Sequence, residues 1–511
     1  MKKRICILFF LIVVLCGGIL SSCTDVPSQN TIETAEETNN TTTSKTTSEK
    51  TDTVETVTET EPAETDELLP AEFDVSAIGD YTIVYASEPR GLEALAESLA
   101  AEIKTATGKE LPVKSDTDAA ESVNEILIGR TNRAFSQECY ENSSHIMRYE
   151  VLTYRGKLQF VIGGPYSGMK CAEKFKEEVL LSKNKLTDGV SYFSADLASD
   201  SQKLTDGADI RVMSANVLNY HWGEESYPNI YPVATRAEIF AGVLLRFTPD
   251  FVGLQEADEN WRDILPYYLD SMAEKEKISY THQQPNAEWK GKTVINYSSL
   301  LYRSDLYNVD DEGFKGFEAN YQSSYCQRVA TYAKYSGKTD PSVQLMIVNT
   351  QWAHESDERI LSCVNEEAKL VNELKAQYPD VPVFCTGDFN SDIKKKSRDW
   401  EDAKATDPEG YKDAKNRYEF FLDFVGETDG VILSVAAKEK GVLITAGGCR
   451  TSAKNMSEDK QRALDSDFID HIVLCGGYAD VLRHDTIRSN GCHVMSDHSP
   501  IYADISLKKK G

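Results

Sequence analysis

The chain has 511 residues, 41% of them hydrophobic and 27% charged, with a formal net charge of −27. That length admits more than one domain, and that balance suits a folded soluble body. The acidity argues against a broad basic footprint of the kind that grips a nucleic-acid backbone.

In chain order, Lys2, Lys3 and Arg4 make a basic start, and Cys6 to Ile19 is an apolar stretch too short to favour a membrane span. Leu20-Ser21-Ser22-Cys23 comes next and resembles the lipobox of bacterial lipoproteins. The resemblance implies that residues 1–23 are a signal peptide, that Cys23 carries lipid, and that the protein is exported and anchored to the cell membrane on its extracytoplasmic side. An ordinary secretory signal or an uncleaved anchor is the alternative. Residues 24–70 are rich in Thr, Glu, Ser and Asn and contain no aromatic residue. Within them, residues 24–67 hold twelve acids and two Lys, a net of −10; with +3 on residues 1–23, about −20 is left for residues 68–511. Such a segment buries too little apolar surface to offset its ordering entropy, so a disordered, self-repelling tether is expected, with an interaction tail as the alternative.

Beyond Cys23, eight cysteines remain: Cys139, Cys171, Cys326, Cys363, Cys385, Cys449, Cys475 and Cys492. None shows the spacing of a zinc site, and most sit in apolar runs as small core residues. Cys449 and Cys492, in Gly-containing loops, are the candidates for a disulfide.

Residues 71–205 read as a compact accessory α/β domain. Tyr81–Tyr85, Glu125–Arg130 and Leu158–Gly164 read as strands, and Leu92–Thr105 and Gly168–Leu181 as helices. The phrases "EILIGRTNR" and "VIGGPYSG" resemble the small α/β domain that often precedes the catalytic domain of bacterial glycoside hydrolases. Gly164-Pro165-Tyr166-Ser167-Gly168 lacks the Lys-Ser/Thr ending of a phosphate-cradling loop and reads as a turn into a helix. Residues 201–207 look like a linker.

Residues 206–511 alternate about ten strand candidates with helices, the pattern of a single large α/β domain. The Ala234–Phe247 helix reads as amphipathic, with Ile239, Val243, Leu244 and Phe247 on its apolar side. A later helix presents Leu361, Val364, Ala368, Val371 and Leu374. Polar residues recur at the ends of apolar strands: Asn216, Gln255-Glu256, Gly387-Asp388-Phe389-Asn390, Asp470-His471 and Ser496-Asp497-His498. Each alone is an ordinary turn or strand end; the ordered series across one domain is not.

Through "SANVLN", "DFVGLQE", "SSLLYR", "VNTQWAH", "VFCTGDFNS", "DFIDHIVL" and "MSDHSPIYADI", residues 208–508 resemble the endonuclease/exonuclease/phosphatase superfamily, the DNase I-like group. The resemblance implies a four-layer α/β sandwich and hydrolysis of phosphate esters. Such a reaction needs a nucleophilic water, neutralised phosphate oxygens and a stabilised leaving oxygen. By resemblance, Glu256 is the principal ligand of Mg²⁺ (Mn²⁺ and Ca²⁺ being the other candidates), with Asn216 close by and Asp497 completing the metal or water network. Asp388 orients or deprotonates the water, Asn390 donates its amide to a phosphoryl oxygen, and His498, held charged by Asp470, contacts the phosphate. Arg328 and Gln351 are further candidate phosphate contacts, and His354 is either a second phosphate contact or a hydrogen-bonded loop histidine. The family usually has His where this chain has Gln351, and Gln donates a hydrogen bond but carries no charge. Loss of that charge, at a tenfold cost in rate, is about 1.4 kcal/mol of barrier.

The chain is therefore expected to be a surface-anchored, Mg²⁺-dependent phosphoesterase. A catalytically weakened surface protein that binds phosphorylated or glycan ligands is the alternative. The substrate is a phospholipid headgroup, a sugar phosphate or a nucleic acid, the last disfavoured by the acidic body. No protein partner is inferable. The charged stretch from Lys394 to Arg417, directly after Asp388 and Asn390, is expected either to line the site and set substrate choice or to be a solvated insertion.

Overall fold

The computed structural model describes residues 72–507 except 144–145, 188–190, 199–201, 221–229, 284–286, 290–291, 295–296, 319–327, 355, 392–416, 447–467 and 489–490. Cys23, the tether, Cys326, Cys449 and all but the last residue of the Lys394–Arg417 stretch lie outside the described residues. No described helix is long and apolar enough to cross a membrane. Residues 66–511 group as one compact unit.

The accessory part is built on β1 (Thr82–Tyr85), α1 (Leu92–Thr107), β2 (Val113–Ser115), β3 (Glu125–Ile128), α2 (Ala134–Glu141), β4 (Arg148–Tyr154), β5 (Lys157–Ile162), α3 (Pro165–Phe175) and β6 (Ser191–Asp196). These strands form one sheet in the order β2-β1-β3-β5-β4-β6, parallel through the first four, beside a separate two-stranded pair of Glu72–Phe73 and Leu186–Thr187. Leu92, Leu95, Leu99 and Ile103 bury the expected face of α1 against Ile83, Ile126 and Phe160. α3 starts at Pro165, three residues before the expected Gly168; proline is favoured in the first helical turn because its missing N–H would have no helical partner there.

The larger part contains two sheets packed face to face. The first runs β9 (Tyr280–Gln283), β10 (Leu300–Arg303), β8 (Phe251–Gln255), β7 (Ile210–Asn216), β19 (Ile501–Leu507), β18 (Ala479–Thr486) and β16 (Glu439–Lys440). The second runs β11 (Tyr307–Gly316), β12 (Val329–Gly337), β13 (Gln344–Gln351), β14 (Val383–Asp388), β17 (Asp470–Gly476) and β15 (Val431–Ile432). Alternation along each strand sends every other side chain between the sheets: Ile210, Val212, Phe251 and Ile505 meet Leu345, Ile347, Phe384 and Ile472. The intervening residues face outward onto helices. Met213, Ala215, Val252 and Leu254 pack on α4 (Val233–Phe247) and α5 (Glu259–Lys275). Met346, Val348, Val383 and Val473 pack on α6 (Asp357–Gln377) and α7 (Arg417–Glu427). Helices, sheet, sheet, helices: this is the expected four-layer α/β sandwich. Residues 210–507 hold fifteen described strands against about ten expected, and four of them have only two or three residues, too few for a period-two signal.

A polar lock joins the sheets toward the C-terminal ends of β8, β13 and β14. Asn349 on β13 donates to the carbonyls of Leu254 (2.7 Å) and Ser299 (2.9 Å), and its Oδ1 accepts from Gln255 Nε2 (2.6 Å) and Thr386 Oγ1 (3.1 Å). Gly253 permits that approach, because a Cβ there would land on Thr386 Oγ1 and Asn349 Oδ1.

Three expectations change. α4 is not amphipathic: all but one of its residues are buried, because the accessory part covers the face of Glu238 and Gly242 while Arg236 is buried under the loops that follow Asn216 and precede Ser496. On α6, Leu361 is 43% exposed and Ile360 takes its place on the buried face, one turn before Val364. The linker is docked: Arg211 donates to the carbonyls of Gln202 (2.7 Å) and Lys203 (3.0 Å) while paired with Asp504.

Candidate active site

The site forms where both sheets present strand ends. In register, Gln255 lies beside Asn216 in the first sheet, and Gln351, Asp388 and Asp470 lie side by side on three strands of the second. Glu256 follows β8 directly and turns into the left-handed region at φ 61°, which directs its carboxylate at Asn216. Asn390 also has positive φ, 51°, a conformation Asn tolerates better than most residues.

At the centre, two carboxylate oxygens share two amide nitrogens. Asn216 Nδ2 donates to Glu256 Oε1 (3.1 Å) and Asp388 Oδ2 (3.1 Å). Gln351 Nε2 donates to the same two oxygens at 2.8 and 3.2 Å. Arg328 Nη1 donates to Gln351 Oε1, which orients that amide. Asn219 caps the far oxygen of Glu256 through its backbone N–H (3.2 Å) and Nδ2 (2.7 Å).

His498 stands on the other side of Asp388. Its Nδ1 donates to Asp470 Oδ2 at 2.9 Å, and Ser496 Oγ accepts from the His498 N–H (3.1 Å) while donating to Asn216 O (2.7 Å). Burial alone would drive the imidazole neutral, but Asp470, Asp388 and Asp497 outweigh it and hold His498 well above the usual histidine range. Burial raises Asp388 above the usual aspartate range, helped by Asp470 and opposed by His498, Gln351 and the Asn390 N–H. Glu256 goes the other way: burial pushes it up, but the Asn216 and Gln351 amides and the charges of His498 and Arg328 prevail and hold it below the ordinary value.

The structure thus brings together Asn216, Glu256, Arg328, Gln351, Asp388, Asp470 and His498. Asn216 turns its amide nitrogen to the carboxylates, and its Oδ1 accepts from the Leu218 N–H (3.0 Å), so it supports the carboxylates rather than offering oxygen to a cation. Asn390 donates to Trp352 O (2.9 Å) and, through its backbone, to Asp388 Oδ1 (3.0 Å), which makes it a brace of Asp388. Asp497 is buried next to His498. His354 is exposed on the loop after β13, where its carbonyl accepts from Arg417 (2.6 Å). Asn219 and Ser496 were given no role by the sequence reading. Asn219 carried a signal, an amide three residues after Asn216 in an otherwise apolar phrase; Ser496 did not distinguish itself from a loop serine.

The donor set fits a hard divalent cation. Glu256 and Asp388 turn carboxylate oxygens toward each other, with only neutral amides between them. Ligating atoms of Asp388, Asp470 and His498 also lie within 4.8 Å of one another. That trio requires a neutral imidazole, whereas the carboxylates around His498 favour its proton. Glu256 and Asp388 are therefore the better cation ligands.

No family model and no curated protein matches the chain. Among solved structures it is similar to an endonuclease/exonuclease/phosphatase from Bacteroides vulgatus, with 21% identity over 58% of this chain and 99% of that one and a TM-score of 0.43. It is also similar to a mannosyl-6-phosphatase from Bacteroides thetaiotaomicron, at 15% identity over 58% and 99% with a TM-score of 0.42. The human Nocturnin catalytic domain follows at 16% identity over 58% and 94%, with a TM-score of 0.38.

Proposed function

We propose that this protein is a divalent-cation-dependent hydrolase of phosphate esters, anchored through Cys23 at the outer side of the cell membrane. The convergence of the Glu256 and Asp388 carboxylates with the Asp470–His498 pair carries the reading. Glu256 and Asp388 would hold a divalent cation such as Mg²⁺, which would supply Lewis acidity to neutralise phosphate charge. Asp388 orients or deprotonates the attacking water. The His498 imidazolium, oriented by Asp470, donates to a phosphate oxygen as charge develops. Arg328 adds a second positive charge beside the carboxylates through Gln351.

One observation favours the alternative, a surface protein that binds a phosphorylated ligand without turning it over. Both hydrogens of the Gln351 amide are given to carboxylates, so none is offered to substrate. A panel of DNA, sphingomyelin, inositol phosphates and a chromogenic phosphodiester at neutral pH, with and without Mg²⁺, separates the two. The enzyme reading expects turnover that needs Mg²⁺ and vanishes in Glu256→Ala. Binding of a panel member without such turnover supports the alternative. Palmitate incorporation that is lost in Cys23→Ser supports the anchor, and its absence in the parent protein overturns it.

A further inference from the structure

α4 carries two fully buried charged side chains, Arg236 and Glu238. Two residues apart on a helix, they point to opposite sides. Glu238 faces the accessory part. Its carboxylate accepts the backbone N–H groups of Tyr166 (2.5 Å) and Ser167 (3.0 Å), in the first turn of α3. Those are donors that a helix start leaves without helical partners. Gly164 allows the approach, because a Cβ there would collide with the Glu238 carboxylate and the Tyr268 hydroxyl. One turn along the same face is Gly242, against which Met147 of the accessory part lies. Tyr166 also packs edge-on to Tyr231, just before α4, with ring centroids 6.3 Å apart.

Arg236 faces the active site. Its Nη1 donates to the carbonyls of Leu218 (2.6 Å), Val217 (2.8 Å) and Met495 (3.3 Å). Val217 and Leu218 directly follow Asn216; Met495 directly precedes Ser496, Asp497 and His498. One guanidinium therefore ties the loop carrying Asn216 and Asn219 to the loop carrying His498. Leu218 sits at φ 58°, a conformation that needs its surroundings to hold it, and Trp261 Nε1 also donates to its carbonyl at 3.0 Å.

We propose that the accessory part acts on the active site through α4: Glu238 fixes the helix to α3, and Arg236, a positioning residue, passes that placement to both site loops. The benefit to catalysis rests on the phosphoesterase reading, whereas the mechanical link does not. The link also gives residues 71–205 a role that needs no ligand of their own, and it places a carboxylate at the α3 N-terminus where an anion would otherwise sit.

Hydrogen–deuterium exchange on the full chain tests the link. In Arg236→Ala, amides of residues 216–220 and 491–499 are expected to exchange about tenfold or more faster than in the parent. Arg236→Lys keeps the charge but not the planar fork and is expected to fall between. Glu238→Ala is expected to loosen the first turn of α3 and both site segments together. Parent-like exchange of the two segments in a folded Arg236→Ala overturns the proposal. If that variant does not fold, parent-like exchange in Arg236→Lys does the same. Loosening confined to α3 in Glu238→Ala overturns the transmission step. Where the parent hydrolyses a phosphodiester, Arg236→Ala should lower kcat about 10- to 100-fold with KM nearly unchanged. A parent without turnover defeats the phosphoesterase reading and leaves the exchange result to decide the link.

Discussion

Gln351 shows how a neutral side chain can serve where a charged one is expected. Its oxygen is held by Arg328 and its nitrogen by Glu256 and Asp388, so it couples a cation to two carboxylates without carrying charge itself. Replacing it with Leu removes an amide that holds down the pKa of both Glu256 and Asp388, so both carboxylates bind a proton more readily. The acid limb of a pH–rate profile should then move to higher pH and the rate near neutrality should fall about tenfold, a loss of about 1.4 kcal/mol. A profile superimposable on the parent's would refute that role. On the proposed mechanism, the alkaline limb is expected to report His498. Against burial, Asp470 is the largest of the charges that keep the imidazole protonated. Asp470→Asn should therefore move the alkaline limb to lower pH, because the imidazolium loses its proton sooner. An unmoved limb means that another group titrates there. The sequence made most of this site legible, since each carboxylate stood at the end of an apolar strand. What each amide does was not legible: Asn216 and Asn390 are both strand-end amides, and only the fold decides that one bridges two carboxylates while the other braces a backbone.

At the scale of elements, α4 marks where pattern reading stopped. Ile239, Val243, Leu244 and Phe247 do face the core, but nearly all the rest of the helix, Arg236 and Glu238 included, is buried as well. Periodicity sees only the neighbours that one helix face implies; it cannot see a second domain covering the other. Burial raises Glu238 to about 7, against an ordinary 4.5, and the α3 N–H groups only partly oppose it. The folded protein binds that proton more tightly than the unfolded chain does. Its contribution to stability is thus complete below about pH 4.5 and is lost as pH rises through about 7. Asp250 and Glu367, raised by burial to about 6 and about 8, act in the same direction. The difference in urea stability between the parent and Glu238→Gln across that window isolates Glu238, and a difference that does not change with pH rejects the assignment. A second buried charge is paired: Arg211 Nε and Nη2 donate to the Asp504 carboxylate at 2.6 and 2.9 Å, which joins β7 to β19. Asp504→Ala leaves the guanidinium buried and uncompensated and should cost about 3–5 kcal/mol in equilibrium urea unfolding.

For the whole molecule, the accessory and larger parts should behave as one body. Beyond the α3–Glu238 contact, Lys275 on α5 donates to the carbonyl of Tyr140 at 2.7 Å, and Ile146 and Met147 join the core under α4. Limited proteolysis is expected to leave a single fragment containing both parts, and calorimetry a single transition. Early release of an intact fragment of residues 206–511 would contradict this. The sequence reads residues 201–207 as a linker, and in the structure Gln202, Lys203 and Thr205 lie outside regular strands and helices. It did not show that they are fastened down, because Asp504, which accepts from Thr205 and holds the Arg211 that grips Gln202 and Lys203, lies almost three hundred positions away in sequence.

The lock at Gly253 has a consequence for how this protein can vary. Glu256 belongs to one sheet and Asp388 to the other, and their spacing is set by the closeness of the sheets at Asn349 and Thr386. Any side chain at position 253 would wedge the sheets apart at the point where that spacing is fixed. In a library of random substitutions selected for activity, position 253 should therefore tolerate no replacement, although it touches neither proton nor phosphate. Positions that merely surround the site should drift freely by comparison, so the least mutable residue in the domain would be one with no side chain at all.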